Sequence, residues 1–536
     1  MQANLPSQQK LLQQVHHLIN SNQMEQAWKF CQQLVKQYPK FADAWMAKSF
    51  VALRLNDHEQ AVVAINKAIR LAPNQAGFKF NKVMLLERIG QVAKALALGK
   101  DLVASNLKDK QLTLALITFF NKYQKYNLVE KCYRKLLTVE PENQELLFNL
   151  ATVTLFLGDL DEADKLATEA IRGNDFDSDI HFFRSHLKKQ SSSSNHIQEL
   201  KQFAERAIKD PVRKAKTYYA LAKELEDCEE YAESFKFRQA GAEIYRNKLN
   251  YDFNDEINFI RALRQTYDSS LIKDKLHSQS GKNESNKPIF VVGLPRTGTT
   301  LLERIVSSHS QVASAGELTH FSRLMSAGME KLSLDPSLSR SQMVSASTQL
   351  DFSQLGQLYL EATRTLAGNK SRLIDKFPQN ALYIGLIHLA LPQAKILLLE
   401  RHPLDVCYSV YKQLFTDAFH FSYDLEELAE YFYEHQLLMS HWQQVLPEVV
   451  KTVRYEDLVN NLEHSAKSVI DFCGLDWEDS CLEFHKNKQA STTASASQVR
   501  QKVYSSSIGM WKNYKKELQP LITKLESYGC LEGWEY

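Results

Sequence analysis

A short loop between a strand pattern and a helix pattern carries the residue types best suited to bind an anion. It reads Gly-Leu-Pro-Arg-Thr-Gly-Thr-Thr over residues 293–300. The apolar run before it predicts a buried strand, and the apolar spacing after it predicts a helix that begins near Thr299. Backbone N–H groups of Thr297 to Thr300 would then cradle a tetrahedral anion, and the Arg296 guanidinium would neutralise its charge.

This loop lacks the lysine of nucleoside-triphosphate loops, which read G-x-x-x-x-G-K-[ST]. Both glycines and the final hydroxyl, Thr300, are present, but Thr299 stands in the lysine position. In triphosphate loops the lysine reaches the β- and γ-phosphates, and an aspartate of a second strand holds magnesium. Here the strand pattern "KILLLE" is followed by Arg401 instead. The sequence therefore predicts a nucleotide without a γ-phosphate, bound without an essential metal ion.

A second candidate anion site begins where that strand pattern ends, in "ERHPLDVCYSVYKQ" (400–413). Arg401 follows the strand, Pro403 suits the first turn of a helix, and Ser409 would lie about two turns inside it. By itself the pattern also fits an ion-pair arginine and a serine on the helix surface. Beside the first loop, it indicates a ligand with two separate phosphate regions.

Strand and helix patterns alternate from Ile289 onward, which predicts a central parallel sheet flanked by helices. Ligands of such sheets bind at the carboxyl ends of the strands, next to helix N-termini. The strand candidates are 289–294, 372–376, 394–401 and 449–458, and the helical stretches between them include 380–391 and 425–446.

The N-terminal half of the sequence repeats every 34 residues in three independent columns. Small residues in one column let helices approach closely, Gly or Asn in another permits a left-handed turn, and prolines in the third end helices. Thirty-four residues is the tetratricopeptide period, and "NDHEQAVVAINKAIRLAPNQA" resembles such a repeat. The columns are Ala27, Ala61, Ala95 and Ala163, with Val129 in the remaining slot; Asn22, Asn56, Gly90, Gln124 and Gly158; and Pro39, Pro73 and Pro141.

These patterns predict three regions in the order α then α/β. Residues 1–250 are expected to form the α-helical repeat solenoid, 251–287 a connecting helix and linker, and 288–536 a P-loop-like α/β domain. A solenoid leaves a concave surface free for a polypeptide, so we expect the repeats to bind a protein.

Composition excludes several other classes of protein. The formal net charge is +2, so no basic excess suggests a nucleic-acid partner. The seven cysteines are scattered, which argues against a disulfide framework or a zinc site. The first twenty residues lack the apolar core of a signal peptide, and no apolar run is long enough for a transmembrane segment. We therefore expect a cytoplasmic protein.

The two phosphate motifs resemble those of one enzyme family. "PRTGTT" and "RHPLDVCYSVY" look like the 5′-phosphosulfate loop and the 3′-phosphate motif of sulfotransferases that use 3′-phosphoadenosine-5′-phosphosulfate (PAPS). The resemblance covers residues 288 to about 518, and its motif order is most similar to that of tyrosylprotein sulfotransferases. The whole architecture is similar to bacterial tetratricopeptide-repeat sulfotransferases. The resemblance implies PAPS as co-substrate and no metal.

The resemblance also implies a role for each matching residue. Arg401 and Ser409 would hold the 3′-phosphate, and Tyr455, in "VRYEDL", would contact the nucleoside part of the donor. Arg296 would also act in catalysis. The residues expected to hold the 5′-phosphosulfate are Arg296, Thr297, Gly298, Thr299 and Thr300.

A later stretch, 493–511, is similar to the family's loop that folds over the donor. This similarity places Ser495 at the transferred group, with Ser497 as the alternative register, and gives Arg500 a further phosphate contact. Two residues depart from the tyrosylprotein pattern, since Gln413 replaces an arginine and Met510 a lysine. The neighbouring lysines that could compensate are Lys412, Lys502 and Lys512.

Sulfuryl transfer to a hydroxyl or amine needs a base at the acceptor and cations at the departing phosphate oxygen. The resemblance places the base in "SAGELTHF" (314–321), where Glu317 is the carboxylate. His320 stays open as an alternative, because a histidine is the base in other sulfotransferases. Tyrosylprotein enzymes have two acidic residues in this region. "IDKFP" resembles the family's lysine motif, which gives Lys376 the role of stabilising the leaving group.

Two other functions stay open at this point. One is an inactive sulfotransferase-like scaffold, and the other is a small-molecule or nucleotide kinase, against which the absent loop lysine argues. The acceptor is also open among peptide tyrosine, carbohydrate, lipid and small phenols. We expect the repeats to bind the acceptor or a protein partner, or to mediate self-association.

Overall fold

A computed structural model describes residues 7–105, 109–173, 177–205, 209–278, 283–332, 334–487 and 507–534. It divides into two compact units, Met1–Val153 and Thr154–Tyr536. Helices account for the described part of the first unit, and the last of them continues past its end. They are α1 (Ser7–Asn20), α2 (Met24–Gln37), α3 (Ala42–Arg54), α4 (His58–Leu71), α5 (Ala76–Arg88), α6 (Val92–Ala104), α7 (Lys110–Lys122), α8 (Tyr126–Val139) and α9 (Gln144–Leu157).

The three sequence columns coincide with three structural positions in these helical repeats. The small residues of the first column are fully buried, as is Val129. The prolines lie two residues after the ends of α2, α4 and α8. The turn residues have positive φ angles, as expected for a left-handed turn: Asn22 57°, Asn56 60°, Gly90 78°, Gln124 53° and Gly158 92°. The predicted repeat architecture is therefore confirmed.

The second unit begins with further helices and continues into the sheet domain. Asp210 caps α13, which begins at a proline, and Glu229 makes the left-handed turn between α13 and α14 with φ 66°. These helices are α10 (Leu160–Gly173), α11 (Ser178–Leu187), α12 (Ile197–Glu205), α13 (Pro211–Asp227), α14 (Tyr231–Lys248), α15 (Phe253–Thr266) and α16 (Ser269–Ser278).

The described residues of the sheet domain form a five-stranded parallel sheet of order β2-β3-β1-β4-β5. The four predicted strands are confirmed. Sequence analysis missed β2, because a strand of three residues is too short to show a periodic pattern. The strands are β1 (Pro288–Gly293), β2 (Val312–Ser314), β3 (Arg372–Lys376), β4 (Lys395–Glu400) and β5 (Val450–Arg454).

Both faces of this sheet are covered, so its central strand β1 is buried and apolar along its whole length. Phe290 and Val292 of β1 belong to one buried cluster, and Ile289 and Val291 belong to another. The covering helices are α17 (Thr299–Ser307), α18 (His320–Glu330), α19 (Arg340–Ser347), α20 (Phe352–Ala367), α21 (Ile384–Ala390), α22 (Pro403–Tyr411), α23 (Leu425–Val445), α24 (Tyr455–Asn460), α25 (Leu462–Phe472) and α26 (Gln519–Ser527).

Short 3-10 helices connect some of these elements: Pro378–Tyr383, His420–Tyr423, Asp479–Cys481, Phe484–Lys486 and Met510–Tyr514. The first of them occupies the start of the predicted helix 380–391. Among the described residues, no helix combines the length and the apolar character that crossing a membrane requires.

Candidate active site

The predicted anion loop lies between β1 and α17 and depends on unusual backbone angles. Gly293 has φ 145° and Gly298 has φ 102°, and Arg296 also lies in the left-handed region with φ 69°. A side chain on Gly293 would lie 2.7 Å from the backbone oxygen of Leu399 in the neighbouring strand. The Thr297 hydroxyl donates to the Leu294 carbonyl at 2.8 Å, which closes the turn at the N-terminus of α17.

Tyr455 packs directly on this loop. It is the first residue of α24, immediately after β5, and a Cβ atom on Gly298 would lie 2.4 Å from its Cδ2 atom. Glycine at 298 therefore meets two requirements, a left-handed backbone and contact with an aromatic ring. The contact brings the two expected donor residues together across the sheet edge.

The first testable prediction concerns this contact. We expect Gly298→Ala to lower the melting temperature more than Gly368→Ala does. Both positions have a positive φ angle, where alanine is strained, but the structure describes open space around Gly368. The difference between the variants measures the overlap with Tyr455. Equal shifts in thermal unfolding would show that Tyr455 moves away freely and does not define the loop.

Arg401 is buried against the same loop. Its Nη1 donates to the carbonyl of Arg296 at 3.1 Å and its Nη2 to the carbonyl of Ser507 at 2.5 Å. The guanidinium lies 4.6 Å from the centre of the Tyr455 ring. Its buried Nε has no hydrogen-bond partner among the described residues. A buried donor of this kind is costly unless something accepts its hydrogen bond, which suits the expected contact with an anion.

The described C-terminal segment is held against α22, the helix that Pro403 begins. The N–H of Gly509 donates to both carboxylate oxygens of Asp405, at 2.9 and 3.0 Å. The hydroxyls of Tyr455 and Ser507 lie 3.1 Å apart. Ser409 is half-buried in the second turn of α22, as the spacing predicted. The remaining expected donor residues, Ser495, Ser497 and Arg500, lie outside the described residues.

The structure brings Glu317 and Lys376 into direct contact. Lys376 is the last residue of β3, its side chain is 1% exposed, and its ammonium donates to the Glu317 carboxylate. The Glu317 side chain is 42% exposed, so it faces solvent. The backbone N–H of Lys376 also donates to the Gly316 carbonyl at 3.0 Å, which fixes the loop that carries Glu317.

His320, the alternative base, is half-buried as the first residue of α18. Burial, and secondarily the charge of Arg323, lowers the pKa of His320, so its ring is neutral near pH 7. Its Nδ1 is buried without a hydrogen-bond partner among the described residues. Glu317 and His320 therefore differ in environment, since the carboxylate has a cationic partner and the imidazole is desolvated.

Asp375 is a buried acid that sequence analysis did not single out. It precedes Lys376 and points to the opposite face of the sheet, because side chains alternate along a strand. The Tyr359 hydroxyl donates to its carboxyl group at 2.7 Å. Burial raises the pKa of Asp375 to about 7 despite this hydrogen bond. Its position beside the lysine in "IDKFP" was the available signal.

A second missed residue, Glu226, connects α13 with the helix that carries Ser409. Its carboxylate accepts hydrogen bonds from the Tyr408 hydroxyl and, at 2.8 Å, from the Lys412 ammonium. Arg238 of α14 donates to it at 3.3 Å and to the Lys412 carbonyl at 3.0 Å. Because Tyr408 and Lys412 flank Ser409, Glu226 holds the part of α22 on which the expected 3′-phosphate contact lies.

The Glu226 contacts bear on the departures from the tyrosylprotein pattern. The Lys412 ammonium bonds to Glu226, so it is already engaged and does not simply replace the arginine missing at Gln413. Lys512 lies 5.8 Å from the centre of the Trp511 ring. Lys502 lies outside the described residues.

The parallel sheet, the glycine loop after β1 and the arginine after β4 define a P-loop-like α/β domain that follows helical repeats. Residues 288–479 match the model of the sulfotransferase family, and residues 42–75 match that of the tetratricopeptide repeat. The chain thus combines tetratricopeptide repeats with a sulfotransferase-family domain, which is the domain of a transferase. The resemblance seen in the sequence motifs is confirmed.

Similar proteins include protein-tyrosine sulfotransferase 2 of Gallus gallus, which is 24% identical over 233 residues, or 41% of this chain and 60% of that protein. An uncharacterised protein of Aquifex aeolicus is 29% identical over 392 residues, 72% of this chain and 51% of that protein. This chain therefore spans only about half to three fifths of the length of these relatives. A solved sulfotransferase domain from the Synechococcus PCC 7002 olefin synthase aligns with a TM-score of 0.33 and 18% identity, over 47% of this chain and 98% of that domain.

Proposed function

We propose that this chain transfers the sulfuryl group of PAPS to an acceptor hydroxyl or amine. The observation that carries the proposal is a row of cationic side chains along one edge of the sheet. Arg296 follows β1, Lys376 ends β3, and Arg401 follows β4, and these three parallel strands are neighbours. Their carboxyl ends therefore lie side by side, which suits a donor with phosphate groups at two separate places.

The two ends of this row suit the two ends of the donor. The loop at Arg296 to Thr300 presents a helix N-terminus and would take the 5′-phosphosulfate. Arg401 retains a buried Nε without a partner among the described residues, and with Ser409 it would take the 3′-phosphate. Tyr455 touches both the loop and Arg401 and would contact the nucleoside between them.

The Glu317 and Lys376 pair would perform the transfer. Glu317 takes the proton of the acceptor while the acceptor oxygen or nitrogen forms a bond to sulfur. The bond between sulfur and the phosphate oxygen breaks, and Lys376 stabilises the negative charge on that oxygen. The products are the sulfated acceptor and 3′-phosphoadenosine-5′-phosphate (PAP). No step in this scheme uses a metal ion.

The tetratricopeptide repeats would bind a polypeptide, either the acceptor or a partner, or a second copy of this chain. Such repeats leave an extended surface free between stacked helix pairs. Protein tyrosine is one acceptor consistent with the similarity to protein-tyrosine sulfotransferases.

The second testable prediction examines donor recognition. We expect PAP to raise the melting temperature of the full chain and ATP with magnesium to have little effect. Arg401→Ala should lower the affinity for PAP by about 10–100-fold, which is the usual contribution of a hydrogen bond between charged groups. It should change the affinity for adenosine 5′-monophosphate much less, because that ligand lacks the 3′-phosphate. Calorimetric titration measures both affinities.

Lys395→Ala is the matched control, because Lys395 begins β4 at the opposite edge of the sheet and lies 4.7 Å from the centre of the Phe472 ring. It should leave the affinity for PAP nearly unchanged. Equal losses for PAP and adenosine 5′-monophosphate in Arg401→Ala would remove Arg401 from the 3′-phosphate site. ATP bound as tightly as PAP would favour a kinase, and a folded chain that binds neither would favour a scaffold.

A further inference from the structure

A cavity, which we call the methionine pocket, is lined in part by α18 and the 3-10 helix Pro378–Tyr383, the elements that follow Glu317 and Lys376 in the chain. It encloses about 540 Å³ between α15, α18, α19 and the 3-10 helix Pro378–Tyr383. Met325 and Met329 of α18 and Met343 of α19 line it. This volume lies within the range of small-molecule sites, about 300–1,000 Å³.

The walls of the methionine pocket are mainly apolar. Three of the nine methionines in the sequence line it, together with aromatic and aliphatic side chains such as Phe259 and Leu338. Methionine is unbranched and flexible, so a wall of this kind adapts to apolar ligands of different shapes. Met343 is left 41% exposed at α19, an apolar surface that a ligand would cover.

The charges around the methionine pocket favour a neutral ligand. Arg340 is the basic side chain among the described lining residues, and it already bonds to Glu256 at 2.9 Å and to Asp255 at 3.3 Å. Glu330 and Asp335 also line the cavity. A fatty acid or another anion would therefore meet carboxylates and a cation that is already paired, whereas a neutral alkyl or aryl group would meet the apolar walls.

The position of the methionine pocket relates it to the transfer reaction. Helix α18 begins three residues after Glu317, and the 3-10 helix begins two residues after Lys376. At a rise of about 1.5 Å per residue, Met325 lies only about 8 Å along α18 from its start. One wall comes from α15, which precedes the residues that match the sulfotransferase family. The pocket is therefore built partly from this chain's own connecting helix.

We propose that the methionine pocket binds the neutral alkyl or aryl part of the sulfate acceptor, with the acceptor hydroxyl placed at Glu317 and Lys376. The proposal rests on the sulfotransferase function proposed above. It narrows the acceptor to a molecule, or a segment of one, that joins a hydroxyl to an uncharged apolar group.

Binding of straight-chain alcohols to the full chain saturated with PAP tests the pocket directly. From 1-butanol through 1-hexanol to 1-octanol, we expect the dissociation constant to fall about fourfold for each added methylene. Straight-chain fatty acids of the same lengths, which are anionic at neutral pH, should bind at least tenfold more weakly than the alcohols. Isothermal titration calorimetry measures each affinity without any need for turnover. Affinity that does not depend on chain length would overturn the proposal.

Substitutions of Met343 test whether the alcohol binds in the methionine pocket. Met343→Glu places a charge at the pocket and should weaken 1-octanol at least tenfold, while Met343→Leu should keep the affinity near that of the parent chain. Met84→Glu is the matched control, because Met84 is 40% exposed and lies in the repeat helix α5. Equal weakening by Met343→Glu and Met84→Glu would place the alcohol elsewhere and contradict the pocket.

Turnover with PAPS separates this proposal from the one on which it rests. Sulfation of 1-octanol should have a lower KM than sulfation of 1-butanol. Met343→Glu should remove that difference without lowering the affinity for PAP. If PAP binds and the alcohols do not, the donor site stands and the methionine pocket fails as an acceptor site. If the alcohols bind but neither PAP nor PAPS does, the cavity binds ligand, but the proposed transfer and the pocket's role in it both fail.

Discussion

Glu317→Gln should lower the turnover of PAPS-dependent sulfation by about 10²–10⁴-fold, the usual contribution of a general base. Glutamine keeps the shape of the side chain but does not accept the acceptor proton. The affinity for PAP should change little, because Glu317 faces solvent at the acceptor side and the expected donor contacts lie on other elements. Steady-state kinetics and calorimetric titration of PAP measure the two effects separately.

The contact between Glu317 and Lys376 needs its own control. Glu317→Gln leaves the almost fully buried Lys376 ammonium without its carboxylate, which lowers the free energy of unfolding as well. In the double variant Glu317→Gln with Lys376→Met, stability should recover because the buried charge is gone. Turnover should be lower in the double variant than in Lys376→Met alone, because both lack the lysine and only the double variant also lacks the base. Equal turnover in these two variants would show that Glu317 acts only by holding Lys376.

His320→Asn distinguishes the two candidate bases. If Glu317 is the base, His320→Asn should keep most of the turnover. Near-normal turnover in Glu317→Gln combined with a loss of about 10² or more in His320→Asn would assign the proton transfer to the histidine. The lowered pKa of His320 keeps its ring neutral, and so able to accept a proton, at neutral pH.

Glu226→Ala should lower the free energy of unfolding by about 3–5 kcal/mol, the range found when one partner of a buried ion pair is removed. The Arg238 side chain is only 2% exposed, so its charge would lose a carboxylate without gaining water. Urea denaturation of the full chain measures the loss. Glu427→Ala is the control, because Glu427 pairs with Arg246 at 2.6 Å in a more exposed site and should cost less.

The contribution of Glu226 to the free energy of unfolding should depend on pH. Burial alone would raise the pKa of Glu226, but the charges of Lys412 and Arg238 outweigh burial and lower that pKa to about 2. A carboxyl group whose folded pKa is below its ordinary value of 4.5 stabilises the fold at pH values above 4.5. This contribution should be lost as the pH falls from 4.5 towards 2. The difference in stability between the parent chain and Glu226→Ala should therefore shrink over that interval.

Glu226 should also affect the donor, because it holds α22 on both sides of Ser409. Glu226→Gln keeps the size of the side chain. It is expected to lower the affinity for PAP more than the affinity for adenosine 5′-monophosphate, since only PAP presents the 3′-phosphate. A purely structural role would weaken both ligands equally or neither of them. The result also tests whether α13 and α14, which resemble a repeat pair, serve the donor site as a positioning element.

Much of this protein could be predicted from local sequence patterns. The columns at 34-residue spacing depend on residues that are small, that adopt a left-handed backbone conformation or that end a helix. Each of these requirements acts locally in the sequence. The same holds for the loop at residues 293–300, where two glycines between a strand and a helix predict an anion site. Strand β2 was missed because its three residues carry no pattern of their own.

Contacts between residues that lie far apart in the sequence were not predictable from such local patterns. Lys376 lies 59 residues from Glu317, Ser507 lies 106 residues from Arg401, and Tyr408 lies 182 residues from Glu226. Motif resemblance named Glu317, Lys376 and Arg401 but not the contacts that they make. Glu226 carried no signal, because a glutamate near the end of a helix is usually exposed to solvent.

The sequence by itself determined the repeat pattern, the four longer strands, the turn residues and the residue types at the edge of the sheet, because backbone preferences and apolar periodicity act over a few residues. Only the tertiary structure decided the strand order β2-β3-β1-β4-β5, the burial of Lys376 against Glu317 and the enclosure of the methionine pocket. These features arise when segments far apart in the chain pack together. Their free energy depends on shape, burial and charge across the contact, which no local pattern records.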